Sequence, residues 1–417
     1  MSSEWLLAPA GLALIVAVAY AGARVAMRLR QPRIAGQLVA VVLVGPTVLG
    51  GQVEGVVDGA RATGAVGALF PAASVDVLAA VGALGLVLYM LLVGLAIDPR
   101  PMARRAGTIA LLSLAISAAT TVVALLAAAW LRDDGGWQGP SADGPEFALA
   151  LTAALVANGV PVVARILEER ALLGTTLGAI TISAAACITT LALVASGVAI
   201  KGGDVGTAER FVLVLAGAAV LVAAGGAVRR AYRHPLAPGL AVPLLLALAI
   251  GAGAAGNSLL GTALVGPLVV GILADGAGAT AAFVEARLGT VVRELLLPVF
   301  LGFAALHTNL RELGPGVLAP VAVILVAVTA VKLAAGYAAG RVAGCSRADA
   351  GALAAMLQCG GIMTIAISLA VLDAGLITTR LHAALTLLGL LTTVVAGPLL
   401  ALARRAGPVG QRHRSSG

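Results

Sequence analysis

Lys332 is the one charge in the apolar stretch Val321–Ala339, and the nearest other charge, Arg341, lies roughly 13–15 Å away along a helix. A lysine so placed either snorkels its stem to an interface or holds a proton at a working site. The distance from any end favours the second. Two further segments carry polar chemistry inside apolar runs, Asn158-Gly159-Val160-Pro161 and Gln358-Cys359-Gly360-Gly361. Each joins an amide side chain to residues that break a helix, and a broken helix frees backbone groups to bind a solute. A third run holds Thr181, Ser183, Cys187, Thr189 and Thr190. Most hydroxyls in such a run satisfy carbonyls of their own helix or a neighbour. No acid stands in the middle of any of these runs. Glu294 and Arg293 sit near the start of another and read as an interface anchor.

No phosphate-binding loop, no Ser-His-Asp constellation and no HExxH pattern occurs, and the four histidines at 234, 307, 382 and 413 are scattered. Cys187 and Cys359 have no His or acid companions and read as small apolar residues. An enzyme, a metal centre and a cofactor are therefore not expected. Three cysteines make no disulfide framework.

The elements that position these residues follow from composition. The 417 residues are 60% hydrophobic and 11% charged, with a mean hydropathy of +1.05. So much apolar surface needs a second apolar solvent, which makes the chain an integral membrane protein and excludes a soluble enzyme or a disordered regulator. Unbroken apolar runs exclude the alternation of a β-barrel, and abundant Gly and Ala suit close-packed helices. Met1–Glu4 lacks a basic leader, so no cleaved signal is expected.

Spans are expected at 6–26, 34–50, 77–97, 107–131, 147–166, 177–200, 211–228, 238–255, 259–275, 284–305, 314–340, 350–372 and 381–403. The cut inside the uncharged Leu236–Ala274 falls at Gly251–Ser258. Thirteen spans with the N-terminus outside put 20 basic residues on the cytoplasmic side and 6 on the other, so the charge asymmetry supports N-out, C-in. The net charge of +8 is accounted for this way and requires no nucleic acid.

An odd count also permits inverted repeats in one membrane domain spanning 1–417. Repeat one covers 6–200, a link helix 211–228, repeat two 238–403 and a basic cytoplasmic tail 404–417. The fifth and twelfth spans then correspond, and these are the two with central breaks. They should face each other near the bilayer midplane.

The chain resembles the monovalent cation:proton antiporter-2 family, the Kef-type sodium/hydrogen exchanger domain. The resemblance rests on RQPRIAGQLVAVVLVGPTVLG at Arg30–Gly50, PVVARILEERALL at Pro161–Leu173, LLPVF followed by ALHTNL between Leu296 and Leu310, and VKLAAG at Val331–Gly336. It implies a sodium/proton antiporter-like fold, a homodimer built on a dimerisation panel, and a core that moves against that panel. It also implies a site. The family's helix-6 acid pair falls on Ile188 and Thr189, or on Thr189 and Thr190 with a one-residue slip. The Arg and Glu of its helix-12 pattern fall on Gly360 and Thr364, and the Glu of its first signature on Gln37. Only Lys332 keeps its charge. Asn158, Pro161, Gln358 and Gly361 complete the set.

A buried lysine without its acid must shed its proton or find another anion. Three readings stand open. One is a secondary transporter exchanging a monovalent cation for protons, with Lys332 as the titrating group. Another is a proton-linked exporter of an organic anion or ionophore-like carboxylate, whose carboxylate would stand in for the missing Asp. The last is a membrane protein that binds or regulates without transporting. In each the partners are small solutes and the bilayer.

Overall fold

The computed structural model describes residues 4–29, 31–51, 53–54, 61–95, 105–132, 136–172, 175–200, 238–260, 263–274, 279–405 and 407. The expected link helix at 211–228 lies outside these residues, as does most of the tail.

The described chain is almost entirely helical. α1 (Glu4–Arg28) turns into α2 (Arg33–Val42), which continues through a wider turn, Leu43–Thr47, kinked at Gly45 and Pro46. A two-residue ladder pairs Val53–Glu54 with Arg61–Ala62 before the short α3 (Gly64–Leu69). α4 (Ala72–Leu95) and α5 (Ala106–Arg132) are long spans. α6 (Gly144–Val156) and α7 (Val160–Glu169) are the halves of one broken span, followed by α8 (Thr176–Ile200). The second half of the chain holds α9 (Pro238–Leu260), α10 (Val265–Leu273), and α11 (Ala279–Val291), which runs through a π-turn at Val292–Leu296 into α12 (Leu297–Leu306). α13 (Pro315–Val342) precedes the second broken span, α14 (Arg347–Leu357) and α15 (Gly361–Asp373), and α16 (Thr379–Arg405) closes the described chain. Among the described residues, eight helical stretches are long and apolar enough to cross a membrane.

Two groups of helices pack against each other. One gathers α1, α2, α4 and α9–α12, and the other gathers α5–α8 and α13–α16. Small residues set the close approaches. A Cβ on Gly22 of α1 would strike the Gly36 carbonyl of α2, and a Cβ on Gly266 of α10 would strike the Ala252 carbonyl of α9. The first two and the eighth and ninth expected spans thus each pack as a tight pair through small residues. This contact also corrects the expected cut at Gly251–Ser258. α9 continues through that segment to Leu260, because its glycines and alanines admit α10 alongside and do not end the helix.

The two broken spans are buried deepest. In the stretch Arg347–Asp373, 89% of the most apolar window is covered, against 33% for α5 and 22% for Leu318–Val342 of α13. α5 and α13 therefore show one side to lipid, with Leu114, Val122, Leu126, Val323 and Val326 exposed. Their inner faces enclose the breaks.

Candidate functional site

Helix α6 ends at Val156 because Ala157 turns to extended backbone (φ −45°, ψ 141°) and Gly159 precedes a proline-led helix start. Pro161 stands in the first turn of α7, where its missing N–H costs no helical bond. In the other span α14 ends at Leu357, and Gly361 opens α15 at φ +53°, a left-handed conformation that glycine adopts without strain. The two breaks meet. The Gly159 N–H donates to the Cys359 carbonyl at 2.7 Å, and Asn158 Nδ2 donates to the Leu357 carbonyl at 2.6 Å.

The approach leaves no room at Gly159. A Cβ there would sit 2.9 Å from the Gly360 carbonyl oxygen and 3.3 Å from the Gly361 Cα. Gly159→Ala must therefore push the breaks apart, at a cost of about 1–3 kcal/mol. A thermal melt of the purified protein should show a lowered midpoint. A wild-type melt would mean that the breaks need not touch.

Lys332 reaches this crossing from α13 and is 1% exposed. Its Nζ donates to the carbonyls of Ala157 at 3.1 Å and Val156 at 3.3 Å. These carbonyls belong to the C-terminal end of α6, the negative pole of that half-helix. Backbone dipoles thus stand where a carboxylate would otherwise be needed. Thr189 of α8 is fully buried and donates its hydroxyl to the next carbonyl along, Asn158 O, at 2.7 Å. Lys332 and Thr189 therefore attach to consecutive carbonyls of one break. Thr190 instead bonds Ala186 O within its own helix at 2.9 Å, and Ile188 is buried among apolar side chains.

Across the crossing, Gln358 Nε2 donates to Thr392 O at 3.0 Å, and the Gly360 N–H reaches Thr392 Oγ1 at 3.3 Å. Both amide groups are oriented by this bonding. Carbonyls can only accept, so each amide turns its nitrogen to a carbonyl and leaves its oxygen over. Asn158 Oδ1, Gln358 Oε1 and Thr364 Oγ1 are all buried with no hydrogen-bond partner. A Cβ on Gly360 would lie 2.3 Å from Thr364 Oγ1, so the hydroxyl fills the space that a larger residue at 360 would take. Buried polar atoms without partners are uncommon and call for an explanation, such as strain or an ordered water or ion.

Gln37 lies elsewhere. With Arg33 and Glu294 it lines a cleft of about 710 Å³ beside α1, walled by Leu12, Val16 and Pro298. Of the expected Arg293–Glu294 interface anchor, Arg293 pairs with Glu285 about two turns back along the helix at 2.5 Å. Sequence reasoning missed Thr392 and Thr393 of α16. Thr393 Oγ1 lies 3.6 Å from Cys359 Sγ and donates to Gly389 O. Adjacent hydroxyls halfway along an apolar span were the available signal.

Comparison with known proteins bears on this architecture. The pattern of the family described as "sodium/hydrogen exchanger, transmembrane" matches residues 13–403. Over 404 residues the chain is 24% identical to a Na(+)/H(+) antiporter, NhaS4 of Synechocystis sp., covering 94% of each. It is 34% identical over 179 residues to Cation/H(+) antiporter 17 of Arabidopsis thaliana, covering 42% of this chain and 20% of that protein. Among solved structures, the sodium proton antiporter MjNhaP1 of Methanocaldococcus jannaschii superposes with a TM-score of 0.68 over 97% of this chain and 98% of that one, at 13% identity.

Proposed function

The chain belongs to the sodium/hydrogen exchanger family of membrane proteins, and from that premise we propose that it exchanges a monovalent cation for a proton without a carboxylate at its site. The observation that carries this reading is the set of unpartnered oxygens at the crossing, Asn158 Oδ1, Gln358 Oε1 and Thr364 Oγ1. Oxygens bind cations, and these three come from both breaks, so a bound ion would tie the two halves together. Lys332 supplies the exchangeable proton. With the ion absent, the ammonium rests on the Val156 and Ala157 carbonyls. When a cation arrives, two positive charges cannot share one buried site, and the amine releases its proton. The site then carries one positive charge in either loaded form, and the core α5–α8 with α13–α16 moves against the remaining helices to change sides.

The crossing offers a poor seat for an organic anion. Lys332 is turned to carbonyls, and the Gly159 and Gly360 N–H groups already have acceptors. The cation reading is preferred on that ground. A homodimer through the α1–α4 and α9–α12 side, a cell-membrane location and the N-out, C-in orientation belong to the same proposal and rest on the family resemblance and the basic-residue count.

Reconstituted vesicles test the reading. An imposed sodium, potassium or rubidium gradient should acidify or alkalinise the lumen, and excess small carboxylate should not compete. Carboxylate competition would favour the anion exporter, and silence under every gradient would favour a binding protein.

A further inference from the structure

α16 carries a second buried titratable group away from the crossing. His382 is 0% exposed, one turn inside the start of the helix. Its Nδ1 lies 3.0 Å from Ser368 Oγ on α15, and its Nε2 lies 3.2 Å from Thr308 Oγ1 in the turn after α12. Each hydroxyl has one proton. Ser368 donates its proton to Ile365 O at 2.9 Å, and Thr308 donates its own to Ala304 O at 3.0 Å. With both protons spent on carbonyls, both ring nitrogens face lone pairs. In that arrangement a hydrogen on either nitrogen finds an acceptor. When the ring is neutral, one hydroxyl turns from its carbonyl to the bare nitrogen. Gain and loss of a proton at His382 therefore require a hydroxyl rotation and no movement of heavy atoms.

Hydroxyls on two helices stand between the ring and the crossing, spaced along the helices and not bonded to one another in an unbroken chain. On α15, Ser368 stands one turn beyond Thr364, whose oxygen is unpartnered. On α16, Thr386 stands one turn beyond His382 and lies 3.4 Å from Thr308 Oγ1, and Thr392 and Thr393 then reach Gly360 and Cys359. In the other direction, Thr308 leads to the partly exposed Asn309 and Leu310. The titratable neighbour that bears on the ring is His307, whose Nδ1 lies 2.9 Å from Phe303 O. Among the described residues, the other elements packed on α16, namely α2, α13, α14 and the turn Leu310–Glu312, bring no further titratable group to it.

We propose that His382, held by Ser368 and Thr308, is a proton-relay site between the crossing and the face at which α16 begins. One ring nitrogen takes a proton from the side of that face and the other gives one up toward the crossing, which leaves the ring neutral in its other tautomer; a flip of the ring with rotation of the two hydroxyls restores the first tautomer before the next proton. The proposal rests on the exchange reading above, with Lys332 holding the proton that the relay delivers or collects.

The test compares two rates in vesicles of the full chain, cation–proton exchange and labelled cation–cation exchange, which needs no proton. His382→Asn keeps polar atoms but cannot titrate. It should lower cation–proton exchange by about a hundredfold or more, the lower end of general acid–base effects, and leave cation–cation exchange within about twofold of wild type. Ser368→Ala keeps the ring and removes one partner. It should move the pH midpoint of cation–proton exchange and spare cation–cation exchange, and it carries the test if His382→Asn fails to fold. Both rates unchanged in either variant, or both falling together, would overturn the relay and leave a structural histidine. A wild-type chain that exchanges nothing would overturn the exchange reading instead. The ring nitrogens of labelled histidine in the purified protein then decide the relay, since NMR shifts that stay fixed from about pH 5 to about pH 9 would contradict it.

Discussion

Lys332→Gln should fold and insert, yet lose proton-coupled exchange by about a hundredfold or more, in line with removal of a group that carries a proton in the rate-limiting event. The side-chain amide can still donate toward Val156 O and Ala157 O, the carbonyls that the amine now occupies. It cannot release a proton to a neutral form at any working pH. Whatever flux remains should therefore be flat with pH, where the wild type varies. Lys332→Ala is the contrasting variant. It leaves the α6 carbonyls buried without their partner, which costs about 1–3 kcal/mol, and should lower the melting point as well as the flux. A Lys332→Gln protein with the rate and pH profile of wild type would make the lysine structural, and the site would reduce to the oxygens of Asn158, Gln358 and Thr364.

Thr189→Asp should give the opposite phenotype, a site that holds its cation harder. The Thr189 hydroxyl now donates to Asn158 O at 2.7 Å, and an aspartate there loses that donor and brings a charge beside the break. Its partner is already in place, because Lys332 bonds the preceding carbonyl. The KM for the cation should fall by about tenfold, since adding one charged ligand is a main way in which proteins tighten hard-cation sites. The sharper readout is stability. With Lys332 present the new carboxylate is paired, but in Thr189→Asp/Lys332→Gln it is a buried charge alone, which costs about 3–5 kcal/mol. The double variant should melt well below the sum of the single effects. Additive melting shifts would mean that positions 189 and 332 do not sense each other.

Much of this architecture is legible in the amino-acid sequence. Long apolar runs and basic loops fix span positions, because the bilayer imposes length and charge rules that act on each segment alone. Asn158–Pro161 and Gln358–Gly361 are legible as breaks because proline and paired glycines act locally, and Lys332 because a charge deep in an apolar run has few alternatives. What does not show in sequence depends on contacts between helices. The choice between Thr189 and Thr190 turns on which hydroxyl faces Asn158 O, a matter of helix rotation of about 100° per residue. The run Gly251–Ser258 looks like a breaker but serves as a groove for α10. Thr392, Thr393 and His382 belong to the polar interior only because α16 lays one face along α14 and α15. Lys332 at the end of α6 is equally hidden. Its counter-charge is a half-helix terminus, and no residue type announces that.

The central claim, that a lysine amine trades its proton for a cation with no carboxylate involved, has a direct measurement. Purified protein in weakly buffered detergent solution, held where wild-type exchange is active, is mixed with saturating sodium, potassium or rubidium while a pH dye is read. The account predicts that at least one of these cations releases protons from the wild type, in proportion to the protein present, and that none releases any from Lys332→Gln. Equal release from both proteins would contradict it.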